Sequence, residues 1–186
     1  DISKRSAVIV CGATGSGKTK LLTEIGKELS NTVLDLEGLA VHRGSVFGGY
    51  SGAPQPGQST FENNLSLEIY RTANKVVLED EGRFVGSLCL PPVIWSTINT
   101  SARVVIEASI EDRVEQIFED YISSELDSIS YQGFAKNLMR IKDSLGGELH
   151  SKIDRMIFES FSGSDPEQHK AWIKELMVNY YDKKYA

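Results

Sequence analysis

Residues 12–19 read GATGSGKT and match the pattern G-x-x-x-x-G-K-[ST], the signature of a phosphate-binding P-loop. An apolar run, AVIVC at 7–11, precedes this stretch and a helical pattern over 17–29 follows it, as the motif requires. We expect the backbone N–H groups to surround a phosphate, Lys18 to reach the terminal phosphates and the Thr19 hydroxyl to ligate Mg²⁺. The residues expected to bind the phosphate ligand are Gly12, Ala13, Thr14, Gly15, Ser16, Gly17, Lys18 and Thr19.

The pattern of strands around this loop predicts the fold. Five β-rich runs alternate with helical patterns, and they lie at 7–11, 32–36, 75–80, 84–87 and 103–108. Such alternation is typical of βαβ units. It predicts an α/β protein, a P-loop NTPase-like three-layer sandwich whose parallel sheet has about five strands with the P-loop strand at its centre. One predicted helix begins with a capping box formed by Ser59 and Glu62.

The remainder of the chain is predicted to be a helical C-terminal portion. Apolar residues recur there at helical spacing, which indicates core packing. We therefore expect residues 1–186 to form a single P-loop domain, with the core sheet at about 5–108 and the helical portion at about 109–186.

Composition limits the classes of function. The chain has 186 residues, a net charge of −6 and an isoelectric point of about 5.2, which argues against a protein that coats nucleic acid non-specifically. No apolar run approaches the length of a membrane span, so no membrane association is expected. Cys11 and Cys89 lack metal or redox spacing and are interpreted as reduced thiols of a cytoplasmic protein.

An acidic segment ends the third predicted strand. KVVLEDE at 75–81 resembles a Walker B segment, which would lie beside the P-loop strand and offer a carboxylate to the metal. Asp80 is the preferred metal ligand and Glu81 the second choice, while Glu79 takes the role if the register slips by one residue. The alternative interpretation is an acidic strand end that faces solvent.

A second acidic segment, DLEG at 35–38, ends the second predicted strand. Ligands of open α/β sheets bind at the carboxyl ends of the strands, so Asp35 and Glu37 are candidates for metal or substrate chemistry. His42 and Arg43 follow in a Gly-rich loop, where we expect an exposed pair that contacts a second anionic group. The candidate catalytic residues are Lys18, Asp35, Glu37, His42, Arg43 and Glu81.

Several blocks of the sequence resemble the P-loop domain of the tRNA 2-selenouridine synthase family. The block VLDLEGLAVHRGSVFG at 33–48 is the most specific, because a P-loop is shared by very many proteins. The others are GATGSGKT, QPGQSTFENNL at 55–65 and LEDEGRFVG at 78–86, which is followed by LPP at 90–92. The helical remainder of the chain carries no sharp motif of this family.

The resemblance implies a transferase that modifies tRNA. Members of the family attach a geranyl group from geranyl diphosphate to the sulfur of 2-thiouridine at the wobble position, then replace it with selenium from selenophosphate. The complete enzyme pairs a P-loop domain with a rhodanese-like domain or subunit that bears a reactive cysteine. We expect that partner to be absent from this chain, which would then carry only part of the full activity.

The P-loop ligand and the tRNA contacts follow from the resemblance only as hypotheses. The bound pyrophosphate belongs either to geranyl diphosphate or to a nucleotide, ATP or GTP. For the tRNA carrying 2-thiouridine, the Gly-rich loop with Arg43 and the aromatic residues Phe47, Tyr50 and Phe61 is the expected receptor of a base or of the anticodon backbone.

Two other functions suit the same pattern. A small-molecule or nucleotide kinase agrees with the chain length, the P-loop and Arg113, which lies in the first turn of the helix after the predicted strand at 103–108. We expect Arg113 to be a surface residue, and common kinases lack the block at 33–48. A non-catalytic, nucleotide-dependent switch is the third hypothesis.

Overall fold

The computed structural model describes residues 2–49, 53–125, 129–163 and 165–185. The chain divides into two compact units, each with its own set of contacts. The first unit comprises Asp1–Gly12 and Gly17–Ile106, and the second comprises Ala13–Ser16 and Glu107–Ala186. Four residues of the P-loop thus belong to the second unit.

The first unit contains a parallel sheet that positions the P-loop strand at its centre. Its strands are β1 (Ser6–Gly12), β2 (Lys75–Glu79), β3 (Phe84–Val85), β4 (Leu88–Cys89) and β5 (Ala102–Ile106). The parallel sheet has the order β2–β1–β5, and β3 pairs with β4 as a separate antiparallel hairpin. The α/β class and the central P-loop strand are confirmed.

The prediction of about five strands in the parallel sheet is wrong, because three are present in the described part of the chain. The segment 32–36 forms only a bridge between Val33 and Val77. Asp35 then caps a helix by accepting a hydrogen bond from the Gly38 N–H at 2.8 Å, so the extended segment ends early. The segment 84–87 belongs to the separate hairpin rather than to the sheet.

Helices pack around this sheet and bury its apolar side chains. They are α1 (Lys18–Glu28), α2 (Leu36–Ala40), α3 (Gln58–Arg71) and α4 (Pro92–Thr100). The buried core includes Ile9 and Leu78 from the strands and Phe61 and Ile98 from the helices, all of them inaccessible to solvent. The prediction of a capping box formed by Ser59 and Glu62 is wrong, because α3 begins at Gln58 after Gly57 and Ser59 lies inside the helix.

The second unit is helical, as the apolar periodicity predicts. Its elements are α5 (Ile110–Tyr121), α6 (Tyr131–Met139), α7 (Lys142–Leu145), α8 (Gly147–Ser162), α9 (Pro166–Leu176), a π-helical segment (Met177–Tyr181) and α10 (Asp182–Tyr185). The core of this unit includes Leu138, Ile153 and Trp172, each at most 3 % exposed. Within the described ranges, none of the helices has both the length and the hydrophobicity to cross a membrane.

Candidate phosphate and metal site

Glycines give the P-loop its backbone geometry. Gly15 and Gly17 have φ angles of +77° and +87°, in the left-handed region that a side chain disfavours. Gly17 precedes α1 and has no side chain to cap that helix. An anion at this helix terminus would therefore satisfy the first N–H groups of α1.

The hydroxyl of Ser16 supports the prediction of a phosphate ligand. Ser16 is 9 % exposed, and its hydroxyl oxygen has no hydrogen-bond partner among the described residues. A buried hydroxyl without a partner costs roughly 1–3 kcal/mol, which an acceptor such as a phosphate oxygen would offset. The chemistry of the loop therefore fits an anionic, oxygen-rich ligand.

Lys18 and Thr19 begin α1 within the first unit. The Lys18 ammonium group donates to the Gly12 carbonyl oxygen at 2.9 Å, so its side chain lies along the loop. The Thr19 hydroxyl donates to Glu79 Oε2 at 3.5 Å. This contact joins the P-loop threonine to the acidic end of β2, which pairs directly with β1.

Three carboxylates from two separate segments meet beside these residues. Glu37 lies on α2, Glu79 ends β2 and Glu81 follows two residues later. One carboxylate oxygen from each lies within 4.8 Å of the other two. Glu37 is 9 % and Glu79 only 1 % exposed, and Glu79 Oε1 has no hydrogen-bond partner among the described residues. We call Glu37, Glu79 and Glu81 the carboxylate cluster.

Burial and mutual repulsion raise the pKa values of all three carboxyl groups of the carboxylate cluster. Burial, followed by the charges of Glu79, Glu81 and Asp35, raises the pKa of Glu37 to about 9. Burial, followed by the charge of Glu81, raises the pKa of Glu79 to about 7. Burial likewise raises the pKa of Glu81 to about 7, although Lys18 opposes this shift.

A divalent cation would remove this repulsion, since it favours the ionised form of every carboxylate around it. Carboxylate and hydroxyl oxygens are the ligands that Mg²⁺ prefers. The residues present therefore fit the metal that the P-loop pattern predicts. Glu79 and Thr19 would hold it from the P-loop side, with Glu37 and Glu81 completing the protein ligands.

The structure places Asp80, the preferred Walker B ligand, outside the carboxylate cluster. Asp80 accepts a hydrogen bond from Arg103 at 2.6 Å on the other side of the strand. Successive side chains of an extended chain alternate between faces, so Glu79 and Glu81 share a face that Asp80 does not. Glu79, the alternative ligand, and Glu81, the second choice, both lie in the carboxylate cluster.

The remaining candidates on the segment 35–43 are Asp35, His42 and Arg43, and their environments differ. Asp35 is exposed and serves as the cap of α2, although its charge still raises the pKa values of Glu37 and Glu79. His42 was expected to be exposed, but it is 9 % exposed and forms a bridge with Gly49. Arg43 is half-buried, and its backbone N–H donates to the Gly48 carbonyl at 2.8 Å.

Gly44 brings the loop after α2 against the carboxylate cluster. A Cβ atom at this position would lie 2.6 Å from Glu37 Oε1 and 3.1 Å from both carboxylate oxygens of Glu81. The φ of Gly44 is +66°, so the close approach and the backbone conformation both favour glycine. The sequence block 33–48 therefore contributes a wall of the site as well as one of its carboxylates.

Three expectations about other side chains are corrected or fall outside the described residues. Phe47 and Phe61 are 9 % and 0 % exposed, so their rings belong to the interior and are not available to stack on a base. Tyr50 lies outside the described residues. Arg113 is not a surface residue: it is 7 % exposed, and its Nε donates to the Thr14 carbonyl oxygen at 2.9 Å.

Comparisons with known proteins identify the family of the chain. A family model described as the tRNA 2-selenouridine synthase AAA domain matches residues 5–186. A tRNA 2-selenouridine synthase of Cupriavidus pinatubonensis is 34 % identical over 204 residues, covering 99 % of this chain and 54 % of that protein. One of Pseudomonas aeruginosa is 37 % identical over 199 residues, covering 96 % of this chain and 52 % of that protein. The chain spans about half the length of these curated relatives.

Proposed function

The chain belongs to the family of the tRNA 2-selenouridine synthase AAA domain, and from this premise we propose that it is the phosphate-binding module of a tRNA-modifying transferase. The observation that carries the proposal is the contact of the P-loop residue Thr19 with Glu79, at the edge of a buried carboxylate cluster that fits Mg²⁺. A P-loop and a divalent cation together bind a diphosphate or a longer polyphosphate.

We propose geranyl diphosphate as the ligand, because the transfer of a prenyl group to sulfur releases diphosphate. In that step the sulfur of 2-thiouridine attacks C1 of the geranyl group, a C–S bond forms, and the C1–O bond breaks. The electron pair of the broken bond leaves with the diphosphate, and the N3 proton of 2-thiouridine is released to solvent, so that the S-geranyl base is neutral. A Mg²⁺ ion held by Thr19 and the carboxylate cluster would supply charge stabilisation for that leaving group.

The residues of this chain hold the leaving group and its charge. Lys18 and the backbone N–H groups of the loop bind the diphosphate oxygens, and Thr19 and the carboxylate cluster hold the metal. His42 and Arg43 remain candidates for orienting the second substrate. They precede Gly44, which lies against Glu37 and Glu81 of the carboxylate cluster. Asp35 contributes charge and holds the N-terminus of α2.

The selenation step of the complete enzyme is proposed to use a cysteine outside the residues described. Burial raises the pKa of the Cys11 thiol, which reduces its thiolate fraction and its reactivity. Cys89 is half-buried, and its backbone N–H and carbonyl groups are both bonded to the Gln58 side chain. We therefore propose that a rhodanese-like domain or subunit supplies the reactive cysteine that takes selenium from selenophosphate.

The first experiment tests the ligand. The chain is titrated calorimetrically, in the presence of Mg²⁺, with geranyl diphosphate, ATP and GTP, and the Lys18→Ala variant is titrated in parallel. We expect geranyl diphosphate to bind the wild type, and the affinity to fall by at least about tenfold in Lys18→Ala, since a charge-assisted contact is lost. Lys20→Ala is the matched control, because Lys20 is an exposed lysine on the same helix.

The second experiment tests the reaction with the complete enzyme. tRNA carrying 2-thiouridine is incubated with geranyl diphosphate, and its nucleosides are analysed by mass. An S-geranyl product that disappears in Lys18→Ala supports the proposal. Lys18-dependent binding of ATP or GTP without any response to geranyl diphosphate overturns the choice of ligand, and phosphoryl transfer to nucleosides or their monophosphates favours a kinase.

A further inference from the structure

Arg113 is a buried cation that connects two distant parts of the second unit. Its Nε donates to the Thr14 carbonyl oxygen of the P-loop at 2.9 Å. Its two terminal nitrogens donate to both carboxylate oxygens of Asp182, at 3.2 Å and 2.5 Å. Three of the five N–H donors of the guanidinium group are thus engaged in a planar arrangement that only arginine provides.

The hydrogen bond from Arg113 fixes the direction of one P-loop peptide. No cis peptide bond occurs in the described chain, and in a trans peptide the C=O and the following N–H point in opposite directions. When the Thr14 carbonyl is held on Arg113, the N–H of Gly15 must therefore point away from the guanidinium group. This N–H is one of the donors that the sequence pattern assigns to phosphate binding.

The backbone of α5 reinforces this arrangement at Gly15. A Cβ atom on Gly15 would lie 2.7 Å from the Arg113 carbonyl oxygen and 2.9 Å from Ile117 Cγ1. The loop therefore packs against α5 with no space for a side chain. Arg113 thus binds the loop with its side chain, and its backbone leaves no room for a side chain at position 15.

Asp182 is placed by an unusual helical segment. The chain from Met177 to Tyr181 is π-helical, and the N–H of Asp182 bonds to the Met177 carbonyl, five residues earlier. Met177, Tyr180 and Tyr181 are each at most 6 % exposed, so the segment is anchored in the interior. Single π turns are rare and frequently occur at functional sites, since they change the register of the side chains that follow.

We infer that Arg113 is a positioning residue for the phosphate ligand: Asp182 orients its guanidinium group, which in turn holds the Thr14–Gly15 peptide ready for binding. The inference rests on the proposed function, because it assumes a phosphate on the loop. It assigns a role in ligand affinity to the C-terminal π segment, although Asp182 lies 168 residues after Thr14 in the sequence.

The test compares Arg113→Ala, Arg113→Lys, Asp182→Ala and the double alanine variant in the full chain. Lys152→Ala is the matched control, because it removes a different ion pair of the same unit, with Glu175 at 2.8 Å. Two quantities are measured: the hydrogen-exchange rates of the amides at 13–16 without ligand, and the affinity for inorganic pyrophosphate with Mg²⁺. The melting temperature of each variant records its global stability.

We expect Arg113→Ala and Asp182→Ala each to accelerate exchange at 13–16 and to weaken pyrophosphate binding about tenfold or more. The double variant should be little worse than either single variant, because both act through one contact. Arg113→Lys should regain stability but not affinity, since an ammonium group cannot bond Thr14 and both oxygens of Asp182 together. Lys152→Ala should leave exchange and affinity unchanged.

Other outcomes overturn the inference. If Asp182→Ala tightens pyrophosphate binding, Arg113 is a direct phosphate ligand that Asp182 holds back. If the variants lower the melting temperature but change neither exchange at 13–16 nor affinity, Arg113 has only a structural role. If the wild type does not bind pyrophosphate, both the proposed function and this inference fail. If Lys18→Ala abolishes pyrophosphate binding but Arg113→Ala leaves it unchanged, only this inference is refuted.

Discussion

At the scale of single residues, adjacent acids of one segment have opposite environments. Glu79 is 1 % exposed within the carboxylate cluster, whereas Asp80 is exposed and paired with Arg103 at 2.6 Å. The two side chains differ by one position and one methylene group, yet only one of them contributes to the proposed metal site. Their neutral amide variants therefore form a matched pair for testing that site.

We predict that Glu79→Gln raises the stability of the metal-free protein at neutral pH and removes most of its response to Mg²⁺. The neutral amide removes the cost of burying a charge and, secondly, the repulsion from Glu81, a gain of about 2 kcal/mol judged from the raised pKa of Glu79. Asp80→Asn should instead lose at most about 1 kcal/mol, the worth of an exposed ion pair, and should keep the full response to Mg²⁺. Thermal unfolding with and without Mg²⁺ measures both effects.

The prediction for Glu79 is contradicted if both variants respond to Mg²⁺ as the wild type does. It is also contradicted if Glu79→Gln destabilises the metal-free protein. The first result would show that no ion binds the carboxylate cluster. The second would show that the buried carboxylate is stabilised by contacts other than a cation.

At the scale of elements, the sequence predicts the strands and helices whose patterns lie within their own residues. The apolar run before GATGSGKT becomes β1 and the pattern after it becomes α1, with boundaries that differ by at most one residue from the structure. The segment 32–36 has strand-like residues, but Asp35 caps a helix there and ends the extended chain. The sequence shows that residues 79–81 are acidic. Which of them face the P-loop depends on how β2 pairs with β1, and no local pattern encodes that pairing.

One glutamine holds together elements that are distant in sequence. The Gln55 amide nitrogen donates to the carbonyls of Ala40 at 3.1 Å and Val85 at 3.0 Å. Its oxygen accepts from the Ser87 N–H at 2.8 Å and from the Ser87 hydroxyl at 3.0 Å. The side chain thus connects the end of α2 with the β3–β4 turn.

We predict that Gln55→Ala lowers the free energy of unfolding by about 2–3 kcal/mol, because two carbonyls and an N–H lose their partner together. Gln116→Ala is the control, since the hydrogen bond from Gln116 to Asp120 is exposed and its loss should change stability by less than about 0.5 kcal/mol. Urea unfolding of both variants measures the difference. Equal effects would show that the Gln55 contacts are replaced by water without loss.

At the scale of the whole molecule, the proposed site depends on residues that the fold brings together from separate segments. Lys18 and Thr19 come from the P-loop, Glu37 from α2, and Glu79 and Glu81 from the end of β2. The motifs suggested each segment separately, but the distances among the carboxylates follow only from tertiary structure. The link from Arg113 to Asp182 is likewise tertiary, and an arginine in a first helical turn gives no sequence signal that would distinguish it from a surface residue.

The pH dependence of stability should reveal the carboxylate cluster. Its three carboxyls have raised pKa values, about 9 for Glu37 and about 7 for Glu79 and Glu81, against an ordinary value of 4.5. A raised pKa means that the folded state holds its proton more tightly than the unfolded state. The stability that these groups contribute is therefore fully present below pH 4.5 and is lost as the pH rises to about 9.

We predict that Mg²⁺ raises the melting temperature more at about pH 8.5 than at about pH 5, since only ionised carboxylates bind the cation and only they repel one another without it. Each kcal/mol corresponds to about 2–4 °C for a chain of this size. Thermal unfolding is measured at both pH values with and without Mg²⁺, in the wild type and in Glu79→Gln. Glu79→Gln is the control for carboxylates elsewhere in the chain, because it leaves their titration unchanged. If the rise in melting temperature with Mg²⁺ depends on pH equally in both proteins, the metal binds outside the carboxylate cluster.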